Sequence, residues 1–213
     1  MSAGSSDRSM EPYYERRAAE YDDWYLGAGL FAERDRPGWV EELRAVEDLV
    51  SSLPPSRTLD VACGTGFITK HLPGRVIATD ASPGMLAESR ARHDHQLVRA
   101  DAFALPFRDD SFDRVFTGHF YGHLHPEQRA RFLAESRRIA PRLVVLDAAL
   151  RDDVEPEQMQ ERILNDASSH QVFKRYFTAA QLSSELGGGT VLFEGRWFVM
   201  VESSSFLGAI LGV

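Results

Sequence analysis

Apolar residues along the chain follow two alternating patterns. Short runs of consecutive apolar residues, typical of buried strands, alternate with stretches in which apolar residues recur every third or fourth position, typical of helices. The predicted strands in the middle of the chain are 57–62, 75–79, 96–100, 112–118 and 142–148. The predicted helices around them are 38–53, 66–72, 83–92 and 126–139. This alternation predicts an α/β domain in which helices cover both faces of a mostly parallel sheet.

The two ends of the pattern differ from its middle. Residues 11–25 are rich in aromatic side chains and predict an N-terminal helix. Near the C terminus a helix is predicted over 155–167, and a short helix is predicted to begin after Thr178 as its N-cap. Two further strands, 191–194 and 197–203, are separated by a tight turn and predict a hairpin that closes the sheet.

Length and composition fit one globular domain. A chain of 213 residues is large enough for a substantial core, and its hydrophobic fraction of 43% is ordinary. We therefore expect a disordered tail over 1–10 and a single domain over 11–213, with N-terminal lid helices over 11–53 and a core over 57–205. No run approaches the roughly 18 apolar residues of a membrane-spanning helix, and residues 1–10 lack the apolar core of a secretory signal.

Charge and cysteine content narrow the expected partners. The formal net charge is −8, whereas a protein that binds nucleic acid carries a basic face, so we expect no nucleic-acid partner. The single cysteine, Cys63, cannot form an internal disulfide, which fits a cytoplasmic protein without a membrane partner. The apolar segment 206–213 is expected to pack on the sheet edge or on a second copy in a homodimer.

The segment 59–66 carries the most chemical information in the chain. It combines the end of a buried strand with a turn that contains Gly64 and Gly66, and such a turn lets the backbone come very close to a ligand. Asp80 stands twenty residues after Asp60 at the end of the next predicted strand. An acid at that place is positioned to hold the hydroxyls of a ribose.

Four motifs in order resemble those of the class I S-adenosylmethionine (SAM)-dependent methyltransferases. The Asp-x-Ala-x-Gly-x-Gly pattern of 60–66 resembles the first motif, and 80–86, 99–107 and 111–116 resemble the second, third and fourth. Together they cover roughly 57–150. The resemblance implies a Rossmann-like three-layer sandwich whose seven-stranded, mostly parallel sheet ends in one antiparallel strand. Another Rossmann-like domain, such as one for NAD or a nucleotide sugar, is the alternative.

The resemblance implies SAM as the cofactor. It assigns the methionine portion to the first-motif loop, the ribose to the second motif, and the adenine to residues after the second and third strands. The implied cofactor-binding residues in these motifs are Asp60, Ala62, Cys63, Gly64, Gly66, Asp80, Ala81, Met85, Asp101, Ala102 and Phe103. Met85 and Phe103 could instead belong to the core, and Asp60 could simply stabilise the turn.

The N-terminal helix resembles the lid of many small-molecule methyltransferases. Tyr14, Arg17 and Tyr21 recur at helical spacing and share one face. The resemblance implies that they cover the SAM carboxylate and the substrate, and a core-facing aromatic stripe is the alternative.

A histidine-rich segment follows the fourth predicted strand. His119 and His123 stand where relatives place residues beside the transferred methyl, and histidine is the natural general base near neutral pH. We expect no metal, because no cysteine or close set of acids accompanies them. Lys174, Arg175 and Tyr176 could meet an acidic group of the substrate or form part of the surface.

The predicted function is methyl transfer from SAM to a small-molecule acceptor, with S-adenosylhomocysteine (SAH) as the other product. Oxygen is favoured as the acceptor atom because of the histidines, while nitrogen and carbon stay open. A protein of this fold that binds SAM without transferring the methyl is a second hypothesis, which a turnover assay would separate from the first. An aminopropyl transferase is a third, and the absence of an obvious pair of acids near the fourth strand counts against it.

Overall fold

The computed structural model of the protein describes residues 11–203, except for the side chain of Glu11. The predicted tail over 1–10 and the apolar segment 206–213 lie outside the described residues. Six helices and nine strands are found within the described part. The helices are α1 Glu11–Arg17, α2 Asp23–Leu26, α3 Trp39–Ser52, α4 Pro83–Arg92, α5 Pro126–Ile139 and α6 Ala179–Glu185. The strands are β1 Ser56–Val61, β2 Gly74–Asp80, β3 Gln96–Arg99, β4 Arg114–Gly118, β5 Leu143–Ala148, β6 Glu157–Ile163, β7 Ser169–Arg175, β8 Gly189–Glu194 and β9 Phe198–Ser203.

Seven strands form one sheet in the order β3-β2-β1-β4-β5-β9-β8. The first five strands in this order are parallel to one another, and β9 runs antiparallel to both β5 and β8. This confirms the predicted Rossmann-like sheet with its antiparallel last strand. The direction of strand succession reverses between β1 and β4, and the carboxyl ends of the strands at such a reversal are where α/β sheets bind their ligands.

Hydrophobic layers cover both faces of the sheet, as predicted. Side chains of α3 pack on one face, where Val46 and Val50 are fully buried in a cluster with Met200 of β9. Side chains of α5 and α6 form a second cluster on the other face with β1, β4 and β5. The prediction that 11–53 is a unit of lid helices is therefore wrong for α3, because its apolar face makes it part of the core.

The predicted helix over 66–72 is absent, and only a short 3-10 turn forms at Thr69–His71. Pro73 follows directly, and a proline disfavours the helical conformation of the residue before it. Leu72 accordingly has an extended backbone with ψ of 122°. The first-motif loop therefore leads into an irregular turn rather than into a helix N-terminus.

The predicted helix over 155–167 is also wrong, because β6 and β7 form a separate antiparallel hairpin there. Its residues are good helix formers, such as Glu, Gln, Met and Arg, but helix propensity is a weak preference that tertiary contacts override. Exposure alternates along β6, as expected for a strand with one covered face. This hairpin becomes one wall of the candidate site.

The N-terminal helix is broken into two pieces. After α1 the chain makes a 3-10 turn over Ala18–Glu20 and then forms α2, which ends at Gly27 in the left-handed conformation. Across the described part of the chain, no helix combines the length and apolarity needed to cross a membrane.

Candidate functional site

The first two motifs meet at the carboxyl ends of β1 and β2. The backbone amides of Gly64 and Ser82 each donate to one oxygen of the Asp80 carboxylate, both at 2.9 Å. The amide of Cys63 donates to the carbonyl of Thr79 at 2.9 Å. Each carboxylate oxygen keeps a second lone pair, so Asp80 can still accept hydrogen bonds from a diol. Burial raises the pKa of Asp80, whereas these amides lower it.

The two glycines of the loop have different roles. Both have positive φ, 56° at Gly64 and 79° at Gly66, where residues with side chains are strained. A Cβ on Gly64 would lie 3.6 Å from the ring of Tyr21 and 3.9 Å from the sulfur of Met85, so it would enter the space between the loop and the lid. A Cβ on Gly66 would lie 2.7 Å from Ser89 Oγ of α4, so Gly66 is required for packing.

Asp60 lies beneath the loop with one carboxyl oxygen unpaired. Its side chain is 2% exposed, Oδ2 accepts the hydroxyl of Thr69 at 2.6 Å, and Oδ1 is buried without a hydrogen-bond partner. Burial raises the pKa of Asp60 to about 7. A buried acceptor without a partner costs stability unless a ligand supplies a donor. The ammonium of a bound methionine portion is a donor of the required charge.

The predicted adenine-binding residues occupy the adjoining ends of β2 and β3. Met85 is buried, Ala102 and Phe103 are half-buried, and Ala81 and Asp101 are exposed. One oxygen of Asp101 accepts the backbone amide of Phe103 at 2.9 Å. Their roles toward adenine stay predictions.

Tyr14, Arg17 and Tyr21 do come together, although α1 ends before Tyr21. The ring centroids of Tyr14 and Tyr21 are 6.4 Å apart, and the guanidinium carbon of Arg17 lies 4.9 Å from the Tyr21 ring centroid. Arg17 is only 4% exposed. Burial raises the pKa of Tyr21 to about 12, so this phenol is neutral at physiological pH.

Two carboxylates of the lid, here the segment 11–26 that contains α1 and α2, accept hydrogen bonds from residues at the carboxyl ends of the sheet strands. Glu15 Oε2 accepts hydrogen bonds from the Ser82 hydroxyl at 2.5 Å and from the Gly84 amide at 2.9 Å, where α4 begins. Asp22 accepts a hydrogen bond from the hydroxyl of Thr65 in the first-motif loop. The lid therefore contacts both cofactor motifs directly, and the hydrogen bonds to Ser82 and Gly84 lower the pKa of Glu15.

A cavity of about 980 Å³ opens between the lid, the carboxyl ends of β4 and β5, and the β6–β7 hairpin. Tyr14, Arg17 and Tyr21 line it together with His119 and His123. Tyr21 also lines a narrow neighbouring pocket with Asp60, Ala62 and Cys63 of the first motif. Tyr21 is thus a shared wall between the cofactor loop and the large cavity.

The two predicted catalytic histidines both border the cavity in the neutral form. His123 Nδ1 lies 2.7 Å from the carbonyl oxygen of Phe173, so Nδ1 carries the proton and Nε2 has the free lone pair. His119 Nε2 is buried without a hydrogen-bond partner, and its ring packs edge-on against Trp24. Burial lowers the pKa of His123 well below its usual value and that of His119 to about 4. The positive charge of Lys174 lowers both pKa values further.

Lys174 and Arg175 are both neutralised by acids of the protein itself. Lys174 Nζ lies 2.5 Å from Oδ1 of Asp147, with both side chains buried, and the Gly122 amide donates to Oδ2 of Asp147 at 2.7 Å. Arg175 pairs with Glu157 and Glu185. Of the two alternatives for these cations, contact with an acidic group of the substrate is therefore disfavoured, because acids of the protein already neutralise them. They instead hold the hairpin and the segment after β4 in place. No group of three or more possible metal-ligating His, Cys, Asp or Glu side chains occurs among residues 11–203.

Comparison with known proteins adds to this geometry. Residues 59–142 match the family model of the methyltransferase domain. A demethylmenaquinone methyltransferase of Renibacterium salmoninarum is 39% identical over 100 residues, which is 45% of this chain and 41% of the relative. A malonyl-[acyl-carrier protein] O-methyltransferase of Halorhodospira halophila is 42% identical over 119 residues, 52% of this chain and 37% of the relative. The chain thus spans less than half the length of these curated relatives. Residues 59–142 are therefore similar to a methyltransferase domain.

A solved structure of a DhpI–SAM–HEP complex has the same fold as this chain over nearly its whole length. It superimposes with a TM-score of 0.73 and 24% identity, covering 95% of this chain and 99% of the DhpI chain. The likeness therefore includes the lid and the β6–β7 hairpin, which lie outside the 59–142 match.

Three residues of the candidate site were not predicted from the sequence. Arg34 and Arg162 line the large cavity, and Asp147 anchors the segment after β4. Arg162 was placed in a predicted helix, and residues 157–163 lack the alternation of apolar and polar residues that would have indicated a strand. For Arg34, in an irregular segment after the lid, the sequence offers no signal.

Proposed function

We propose that this chain binds SAM between its first two motifs and transfers the methyl group to a small molecule in the adjoining cavity. One observation carries the proposal. The pocket of the first motif and the cavity of about 980 Å³ share one lining side chain, that of Tyr21, as a common wall. A cofactor and an acceptor bound on the two sides of that wall would meet at it, and proximity supplies most of the acceleration in a transfer of this kind.

The residues present fit the cofactor. Asp60 offers a buried acceptor without a partner for the ammonium, Gly64 leaves space next to the lid, and Asp80 retains lone pairs for the ribose. When bound, SAM supplies an electrophilic methyl on a positively charged sulfur. The protein positions the acceptor, excludes water with the lid, and provides neutral histidines that can take a proton.

For the acceptor atom we retain oxygen as the proposal, supported by the lone pair of His123 Nε2 at the cavity. One relative is an O-methyltransferase, another a demethylmenaquinone methyltransferase and a third a ubiquinone/menaquinone biosynthesis C-methyltransferase, so a quinone-type acceptor methylated at carbon is the competing possibility. A carbon acceptor activated by a neighbouring hydroxyl would use the same base. Carbon-13-labelled SAM distinguishes the two, because the chemical shift of the transferred methyl differs between an ether or ester and a carbon-bound methyl.

Calorimetry with SAM tests the binding part of the proposal. The wild type should bind SAM and SAH, and Asp80→Ala should weaken SAM binding at least roughly tenfold, because hydrogen bonds to a charged group contribute about 1.5–3 kcal/mol. Asp48→Ala, which removes an exposed carboxylate on α3, is the matched control and should bind SAM like the wild type. Unchanged affinity in a folded Asp80→Ala variant would contradict the assignment of the ribose. If SAM binds but no SAH forms with any acceptor in a broad panel, the chain is a SAM-binding protein without transferase activity.

A further inference from the structure

Three arginines of the cavity converge without a carboxylate partner. Arg17 of the lid, Arg34 of the segment before α3 and Arg162 of β6 all line the cavity. Among the side chains that the structure describes, no carboxylate oxygen lies within 4.0 Å of their guanidinium nitrogens. We call these three residues the arginine cluster.

Neutral aromatic side chains hold the cluster together. Arg17 donates a hydrogen bond to the hydroxyl of Tyr13, and Arg162 is hydrogen-bonded to the same side chain. The guanidinium carbons of Arg17 and Arg34 lie 5.8 and 4.5 Å from the ring centroid of Phe31. The three cations are therefore connected through two rings. Partial burial lowers the pKa of Arg34, and the charges of Arg162 and Arg17 lower it further.

The acids around the cavity are already engaged elsewhere or exposed. Glu20 Oε2 accepts a hydrogen bond from the backbone amide of Asn165 at 2.9 Å. Asp153 pairs with Arg151, and Glu161 accepts a hydrogen bond from the Ser169 hydroxyl at 2.6 Å. Asp35 is exposed. Two other cations of the cavity are neutralised, since Lys174 pairs with Asp147 and Arg151 with Asp153. Arg36 donates to the neutral Trp24 carbonyl at 2.7 Å and keeps its charge, so it adds to the positive surplus of the arginine cluster.

A bound cofactor leaves most of this surplus uncompensated. SAM carries one carboxylate, one ammonium and one sulfonium, so it brings one net positive charge to the site. Its carboxylate can pair with one arginine, and Arg17 is the member of the cluster on the lid. Arg34 and Arg162 then still face the cavity without an anion. Like charges close together in a partly buried site are costly unless a counter-charge accompanies them.

We propose that the methyl acceptor carries an anionic oxygen group, such as a carboxylate, phosphate or phosphonate, which Arg162 and Arg34 hold at the cavity. Guanidinium groups suit this role because their planar donors match the two oxygens of such a group. The inference rests on the proposed function, because it names the acceptor class of the same site.

Calorimetry on the SAH-saturated protein tests the proposal, because the carboxylate of the cofactor is then already in place. Benzoate and inorganic phosphate are the oxyanion probes, and benzamide is the neutral probe with the shape of benzoate. Benzoate should bind at least about tenfold more tightly than benzamide, and Arg162→Met should reduce that affinity about tenfold or more. SAH affinity should change less than about threefold.

Two further variants keep the test decisive. Arg34→Met alters an exposed side chain outside the core and should also weaken benzoate, even if Arg162→Met does not fold. Arg44→Met removes the same charge from an exposed position of α3 and should leave benzoate binding unchanged. Equal affinities for benzoate and benzamide, or benzoate affinity that is insensitive to both cavity variants, would overturn the proposal. Failure of the protein to bind SAH would refute the proposed function instead, and benzoate binding to the protein alone would still report on the cluster.

Discussion

Replacing Asp60 with asparagine should separate stability from cofactor binding. Asp60 is buried, one of its oxygens has no partner, and its pKa rises from 3.8 to about 7 in the folded protein. A folded-state pKa above the unfolded value means that the contribution to stability is present at low pH and is lost as pH rises through about 7. The unliganded protein therefore bears the cost of this charge at alkaline pH.

The size of the effect follows from the shift. At about 1.36 kcal/mol per pKa unit, Asp60 should cost the wild type about 3 kcal/mol more at pH 8 than at pH 4.5. Asparagine cannot ionise, so Asp60→Asn should gain that amount relative to the wild type over the same interval. Other titrating groups, such as His119, are common to both proteins and cancel in the comparison. The asparagine amide can leave an unpaired group of its own, at about 1–3 kcal/mol, but that cost does not depend on pH.

Urea unfolding followed by tryptophan fluorescence at about pH 4.5 and about pH 8, without ligand, measures the difference. A second series with SAM should show weaker stabilisation of Asp60→Asn by the cofactor, because the charge that pairs with the ammonium is gone. Thr69→Ala, which removes the hydroxyl bonded to Asp60, is a control that should lower stability without gaining at alkaline pH. If the stability difference between wild type and Asp60→Asn is the same at both pH values, the electrostatic reasoning about Asp60 is wrong.

Two further predictions concern the Lys174–Asp147 ion pair and the histidines in the segment after β4. Lys174→Met should destabilise the protein by about 3–5 kcal/mol near pH 7, because it leaves the buried carboxylate of Asp147 without its partner. The loss should shrink toward acidic pH, where Asp147 can protonate, and adding Asp147→Asn should restore much of the stability; a loss without pH dependence would argue against the ion pair. Because the pKa values of His119 and His123 are lowered in the protein without acceptor, kcat/KM, which reports the free enzyme, should not fall as pH drops through about 6.5, the ordinary value. His123→Gln should lower turnover about 10²–10⁴-fold if the acceptor needs a base, whereas turnover equal to that of the wild type would make the histidine structural.

The core of the fold could be predicted from the sequence because its signals are local. Each parallel strand is a short apolar run, and the glycines at 64 and 66 and the acid at 80 stand at fixed distances from such runs. These features also placed the cofactor motifs, since strand ends in a parallel sheet fall at one edge. Even Thr178 proved to be the predicted N-cap, with its side chain accepting the amide of Gln181 at 3.2 Å.

The acceptor side could not be predicted in the same way. Residues 157–163 have high helix propensity but pair as a strand with 169–175, and that pairing brings Arg162 into the cavity. The neutralisation of Lys174 depends on Asp147, a contact between elements that no local pattern records. The sequence alone therefore did not show which cations have an acid as partner. In the structure acids neutralise Lys174 and Arg175, whereas Arg34 and Arg162 have no acid partner among the described residues.

The arginine cluster and the two histidines are electrostatically linked. The charge of Arg162 lowers the pKa of both His119 and His123, so without an acceptor the histidines are neutral but weak bases. An anionic group held by Arg162 would offset that charge and raise the histidine pKa values, because a nearby negative charge favours the protonated form. The acceptor that fits the proposed site would thus strengthen the base beside it, whereas a neutral molecule in the same cavity would face histidines with little affinity for its proton. The positive charge of Arg162 would then determine both which acceptor binds and how strong a base the two histidines are.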